Sequence, residues 1–182
     1  MVSPVAELRR LCPRRPLAPW EARLVAERQA SRLLRLTGVT EPPFPEQAIE
    51  HLPRVEVHYR RRDRVSGATK WTRGRWVILV NRNHTWGRQR FSLAHEFKHL
   101  LDWPKADALY RDGYRSAHFQ GERAADAFAA AVLMPKPWIK RAFYDEGVRD
   151  EYELARRFQV SVASMRWRID ELRLYEPARV AA

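Results

Sequence analysis

The chain has 182 residues, 45% hydrophobic and 11% aromatic, and its 34 Lys and Arg against 22 acids give a net charge of +12. That length and apolar content suffice for one ordinary domain with a real core and exclude a disordered polymer. The longest apolar run, AFAAAVLM at 127–134, is far too short to span a membrane, and the first residues lack the apolar stretch of a secretory signal. Cys12 is the only cysteine, so no internal disulfide forms, and a reducing, cytoplasmic location is expected. Only five of the 34 basic residues are Lys. Arginine suits bidentate contact with phosphate or carboxylate, which points to nucleic acid or an acidic protein partner. The plainer reading is an arginine-rich composition scattered over a solvated surface.

Residues 1–19 hold four Pro and four Arg and read as a loose, basic arm. From Trp20 to Leu36 the spacing predicts a helix with Leu24, Val25, Ala30, Leu33 and Leu34 on one stripe, ended by Gly38. A turn at EPPFPEQ leads into a short helix through Ile49 and His51 that stops at Pro53. Three strand-like runs follow at 55–59, 67–71 and 75–81, the last two close enough for a hairpin through TRG. A helix is predicted from Trp86 to Trp103, ended by Pro104. Residues 104–120 read as loop or short irregular helix, with Tyr110, Tyr114 and Phe119 in it. The next helix covers 121–134, bounded by Pro135 and Pro137, and residues 137–174 are helical again.

Within RFSLAHEFKHLLDW, His95, Glu96 and His99 have the spacing H-E-x-x-H. On a helix, residues four apart share a face, so the two imidazoles can hold one Zn2+ with Glu96 beside it as general base. Leu93, Phe97, Leu100 and Leu101 form an apolar stripe facing away from the histidines, so a second surface must cover the pair. A catalytic zinc needs a third protein ligand. No histidine follows His99 at the metzincin distance. The best third ligand is Glu122, 23 residues on, at the start of a helix rich enough in Ala to approach closely; His118, Asp102 and Asp107 are the alternatives. Asp126, four residues after Glu122, can accept the free N–H of a ligating histidine. The plain readings are an acid favoured at a helix N-terminus for Glu122 and a surface acid for Asp126.

RQRFSLAHEFKHLLD followed by ERAADAFAAAVLMP resembles the ImmA/IrrE family of zinc metallopeptidases, over roughly residues 20–174. The resemblance implies an α+β fold, a compact zincin-like domain with a small three-stranded sheet packed on the H-E-x-x-H helix. It implies His95, His99 and Glu122 as ligands of one Zn2+ (Mn2+ is the alternative) and Glu96 as base. It also implies cleavage of a helix-turn-helix repressor, so that stress or mobile-element genes are switched on. Two departures stand out, Ala124 where many members carry an acid and Lys98 where glycine is common, the latter altering the charge of the cleft. The C-terminal sensor domain of the radiation-response branch is not expected in this chain. The domains expected are the arm at 1–19, a peptidase core at 20–136 and a helical region at 137–182 packed on it.

A donor for the developing oxyanion is sought among Tyr110, Tyr114 and His118, each of which could equally pack as a loop residue. Strand 75–81 is a candidate for main-chain pairing with an extended substrate. The rival reading is DNA binding, because ELARRFQVSVASMRWRIDEL has a helix-turn-helix rhythm. In it Leu154, Ala155, Phe158, Met165, Ile169 and Leu172 face inward and Ser161 is an N-cap, leaving Arg166 and Arg168 for phosphates. The alternative for the same segment is a helical pair packed on the peptidase, with Arg166, Arg168 and Arg173 docking a protein substrate. A regulator that sequesters a repressor without cutting it is the third reading. No dimerisation element is evident, so a monomer is expected.

Overall fold

The computed structural model describes residues 3–61, 65–103, 105–111 and 116–174. Ser3 caps helix α1 (Pro4–Arg10) by accepting the Ala6 N–H at 3.3 Å, and Pro4 sits in the first turn. Val5 and Leu8, three apart, give this helix an apolar face buried in the main core. Leu17 is also buried, and its N–H reaches the Leu109 carbonyl at 2.7 Å. The loose arm expected for 1–19 is therefore corrected over the described residues: the prolines start a helix and shape turns rather than prevent order.

Helix α2 (Pro19–Thr37) buries Ala22, Val25, Ala26, Gln29, Ala30 and Leu33 and ends at Gly38, whose φ of 69° suits glycine. Leu24 falls off this 3.6-residue stripe and is exposed, which corrects its assignment to the buried face. After the short α3 (Gln47–Glu50) come β1 (Val55–Arg60), β2 (Gly67–Thr72) and β3 (Arg75–Asn81). The β2–β3 turn places Arg73 and Gly74 at φ 48° and 78°, a two-residue hairpin whose twist matches the strands.

The sheet order is β1-β3-β2, with β1 parallel and β2 antiparallel to β3. WVILVN is the most apolar run of the three and takes the centre. Strand 75–81 thus has a partner on both sides and no edge to offer a substrate, against the expectation; among the described residues the sheet's outer strands are β1 and β2.

Helix α4 (Trp86–Asp102) turns Leu93, Phe97, Leu100 and Leu101 into the core. After α5 (Ala106–Leu109), α6 (Ala117–Leu133) begins four residues earlier than expected. Ser116 caps it, its hydroxyl accepting the Phe119 N–H at 3.2 Å. Helix α6 packs on both α2 and α4, and buried Ala124, Ala125, Ala129 and Ala130 let the backbones come close. The chain continues through α7 (Lys136–Lys140), a π-helical turn at 141–145, α8 (Glu151–Phe158) and α9 (Val162–Leu172). Leu154, Phe158, Met165 and Leu174 join the same buried cluster as Phe97 and Phe128. Ser161 caps α9, accepting the Ser164 N–H at 3.0 Å. A Cβ on Gly87 would lie 3.0 Å from the Ser161 nitrogen, so the α8–α9 turn rests directly on the first turn of α4.

The three arginines expected to dock a partner separate here. Arg168 is buried, donating from Nε to the Met134 carbonyl at 3.1 Å and pairing with Glu171. Arg166 is exposed but paired with Glu151, and exposed Arg173 ends α9 in the left-handed region at φ 52°. Close in sequence, they look like one basic face, but Arg168, two residues from Arg166, turns toward the core. Arg168→Ala leaves a buried carbonyl unpaired and Glu171 short of a partner. It is expected to destabilise the fold by about 3 kcal/mol in urea unfolding, whereas Arg166→Ala leaves the midpoint unchanged. Equal midpoints for the two variants would contradict this division.

Candidate metal centre

His95 and His99 stand one turn apart on α4 with their Nε2 atoms 3.0 Å from each other. Glu122, in the second turn of α6, brings Oε2 to 3.3 Å from His95 Nε2 and Oε1 to 3.1 Å from His99 Nε2. A tetrahedral ion with bonds of about 2.0–2.1 Å sets its ligand atoms roughly 3.3 Å apart, so these separations match its edges. Among the described residues, this is the His, Cys, Asp and Glu group that could hold a metal ion. Asp126 Oδ1 lies 2.9 Å from His95 Nδ1. That contact assigns the proton of neutral His95 to Nδ1 and leaves the Nε2 lone pair facing His99 and Glu122. Such a convergence of electron-rich atoms is unfavourable unless a cation or proton lies among them. The donor set therefore fits a divalent ion.

Burial alone would lower the His95 pKa, but the Asp126 and Glu122 carboxylates raise it above the usual imidazole value. His99 is pushed down by burial and by the neighbouring His95. Glu96 points to the sheet side of the cluster. Burial lifts its pKa above the ordinary carboxylate value, opposed by the Thr69 hydrogen bond and by His95. The Thr69 hydroxyl lies 2.9 Å from Glu96 Oε2 and 3.0 Å from the Glu96 carbonyl, so β2 holds the residue at both ends. A Cβ on Gly67 would sit 2.6 Å from Glu96 Cγ, which makes glycine a requirement of this approach. Gly67, Phe91, His95, Glu96, Glu122 and Asp126 line one open cavity of about 610 Å³.

Other residues singled out in the sequence fall in different places. His118 is exposed at the rim of this cavity, with Nδ1 3.8 Å from Glu122 Oε1. Tyr110 is buried away from it, its hydroxyl donating to Asp102 and accepting from Lys98 Nζ at 3.1 Å, which corrects its candidacy as an oxyanion donor. Tyr114 lies outside the described residues. Asp102 is committed to Lys98 and Tyr110, and Asp107 is exposed on α5 outside the cluster. Lys98 is fully buried and paired with Asp102, so it does not face the cleft as expected. Ala124 packs with Ala22, Val25 and Tyr110 in a small satellite core, where an acid would have no partner. Sequence reasoning missed Thr69 and Gly67. Their only signal is the two-residue alternation of an edge strand, which sets both on the face toward α4.

The family model described as the peptidase IrrE N-terminal-like domain matches residues 51–170. The radiation response metalloprotease IrrE of Deinococcus radiodurans is 36% identical over 101 residues, which are 52% of this chain and 31% of that protein. A solved structure described as a Mycobacterium tuberculosis transcriptional regulator superposes with a TM-score of 0.55, covering 98% of this chain and 54% of that one at 17% identity. The second likeness is one of fold alone. The chain spans about a third of the curated relative and about half of the solved one.

Removing the third donor tests the cluster. Glu122→Ala should weaken Zn2+ binding strongly in competition with a chromophoric chelator. Asp126→Asn, which keeps all three donors, should weaken it by about 10–100-fold. Unchanged affinity in Glu122→Ala would exclude that residue as a ligand.

Proposed function

The chain belongs to the IrrE N-terminal-like peptidase family, and from that premise we propose a metal-dependent endopeptidase with His95, His99 and Glu122 as ligands and Glu96 as base. The observation that carries this reading is the convergence of the three donor atoms, with Asp126 behind His95 and Glu96 held at the side. Two imidazoles and one carboxylate suit Zn2+ best, with Mn2+ as the alternative. When bound, the ion polarises the substrate carbonyl and acidifies a water molecule. Glu96, buried and raised in pKa, takes the proton of the attacking water and returns it to the leaving amine. Thr69 and Gly67 fix where that carboxylate stands. His118 at the rim is the remaining described candidate for an oxyanion donor. The edge of β2 beside Glu96 offers main-chain hydrogen bonds to an extended substrate, the role first sought in β3.

For the substrate, we propose a helix-turn-helix repressor whose cleavage relieves repression, acted on in the cytoplasm by a monomer. The two similar proteins, one a radiation response metalloprotease and the other described as a transcriptional regulator, support this class. Among the described residues no helix is long and apolar enough to cross a membrane. Direct DNA binding through α8 and α9 has less support. Arg168 is buried, Arg166 is paired with Glu151, and the turn between the helices rests on α4.

Glu96→Gln separates binding from chemistry. Metal content should remain, while cleavage of a helix-turn-helix repressor that the unaltered chain cuts should fall at least ~10²-fold. Loss of the metal with the activity would make Glu96 a ligand and end the general-base reading. Gly67→Ala should also depress cleavage without weakening metal binding, because it displaces Glu96 and no donor. Full activity in that variant would show that the β2 contact does not position the base.

A further inference from the structure

Three concavities meet at Asp126. The cavity of the candidate metal ligands shares Phe91 and Asp126 with a second hollow, which is also lined by Met134 and Trp167. Asp126 and Trp167 in turn border a third hollow of about 520 Å³ between α2, α6 and α9. One continuous groove therefore runs from the edge of β2, past His95 and Glu122, over Phe91 and Trp167, into the third hollow.

That third hollow carries large aromatic rings from three helices. Trp20 is 65% exposed, Phe119 42% and Trp167 47%. Scattered exposed apolar residues need no explanation, but three rings around one hollow mark a surface that receives something. Arg123, exposed on the same wall, has no ion-pair partner among the described residues, whereas nearby Arg23 is paired with Glu27 and Glu171. Gln120 also lines the hollow. It is 3% exposed, and neither its amide nitrogen nor its oxygen has a hydrogen-bond partner among the described residues. A buried amide with donor and acceptor both unpaired is unfavourable, and a peptide group supplies one of each.

We propose that this hollow is a specificity subsite of the peptidase, taking a large aromatic or aliphatic side chain of the substrate with an acidic neighbour at Arg123. The proposal rests on the peptidase reading for the direction of the groove. A peptide is favoured over a nucleic-acid strand, which would also stack on tryptophan, because the buried Gln120 amide calls for one donor and one acceptor, as a peptide group supplies, and the adjoining cavity holds the candidate ligands of the peptidase. A second copy of the chain is disfavoured because a copy seated here would also obstruct the adjoining metal cavity.

The indole N–H signals of the full-length chain read this directly. Those of Trp20 and Trp167 can be identified with Trp20→Phe and Trp167→Phe among the seven tryptophans. The chain is titrated, with and without EDTA, against the capped dipeptides N-acetyl-Phe-Glu-amide, N-acetyl-Ala-Glu-amide and N-acetyl-Phe-Lys-amide. The Phe-Glu dipeptide should move both signals saturably, and the Ala-Glu dipeptide should bind about tenfold or more weakly, because it buries no ring. Arg123→Glu should reverse the preference between the Phe-Glu and Phe-Lys dipeptides. Trp167→Ala, at an exposed position, should abolish the Phe preference without loss of fold. Equal shifts with the Ala dipeptide would overturn the proposal, as would movement confined to other tryptophans. So would shifts driven by protein concentration alone, or displacement of the dipeptide by oligothymidylate. If these signals fail to move while Glu96→Gln still abolishes cleavage, the subsite falls and the peptidase stands; the opposite pattern keeps the subsite and removes the chemistry.

Discussion

The packing of α6 on α4 is the constraint on which the rest of the molecule depends. His95 faces Asp126 and His99 faces Glu122, so moving four residues forward on one helix means four back on the other, and the helices run antiparallel. A carboxylate on a neighbouring helix reaches both imidazoles only if the two backbones lie close. The buried alanines of α6 allow that approach on both its sides, toward α4 and toward α2. A larger residue at Ala125 or Ala129, each fully buried, would force the helices apart. The donor separations near 3 Å would then open, and the match to a tetrahedral ion would be lost. The small-residue helix and the candidate metal centre are thus one feature.

The proposed base is set by a different contact. Glu96 is on α4 like the histidines, but its side chain leaves the helix toward β2, where Thr69 and the bare backbone of Gly67 receive it. A carboxylate that buried has a raised proton affinity, which suits the role proposed for it, to take up and release a proton near neutral pH. The sheet therefore does more than back the helix. Central β3 supplies the apolar core, and edge β2 supplies both the support for the base and an open edge beside it.

Much of this was legible in the residues. Apolar spacing located α2, α4 and the three strands, because each has one face in the core and a period that shows it. His95, Glu96 and His99 were legible because their chemistry depends on local helical spacing. Glu122 and Asp126 were legible through a second helix whose alanines announce close packing. What failed was long-range. Pro-rich residues 1–19 looked loose because the partner for Val5 and Leu8 lies across the fold. Tyr110 and Lys98 looked available to the cleft, but Asp102 draws both inward, and its role is invisible without the tertiary fold. The apolar pattern sets the start of α6 too late, at GERAAD, because the cap, Ser116, precedes it by more than a full turn. The extent of β2's role could not be read at all, since nothing local in GATKW names Glu96 as its neighbour.

The arginine excess also has a structural meaning that composition alone could not give. Leu100 lies in the last turn of α4, and the residue four beyond it is Pro104, which has no N–H to offer its carbonyl. Arg9 of α1 donates to that carbonyl at 2.7 Å. Met134 is the C-cap of α6, where Pro135 and Pro137 interrupt the helical pattern, and Arg168 of α9 donates to its carbonyl at 3.1 Å. Cations are favoured at helix C-termini, where carbonyls are left without donors and the dipole is negative. The two helices that carry the candidate ligands are thus each closed at the C-terminus by a guanidinium group, from the first and last helices of the described chain. A lysine could bring charge to either place, but arginine brings several fixed donors, and Arg168 uses Nε for the carbonyl while its terminal nitrogen pairs with Glu171. Part of the basic composition is therefore spent inside the fold, tying the C-terminal end of α4 to α1 and that of α6 to α9. Net charge consequently overstates the basic surface left for a partner, and charged recognition is better sought at single exposed residues such as Arg123, which has no ion-pair partner among the described residues, than along a whole helix.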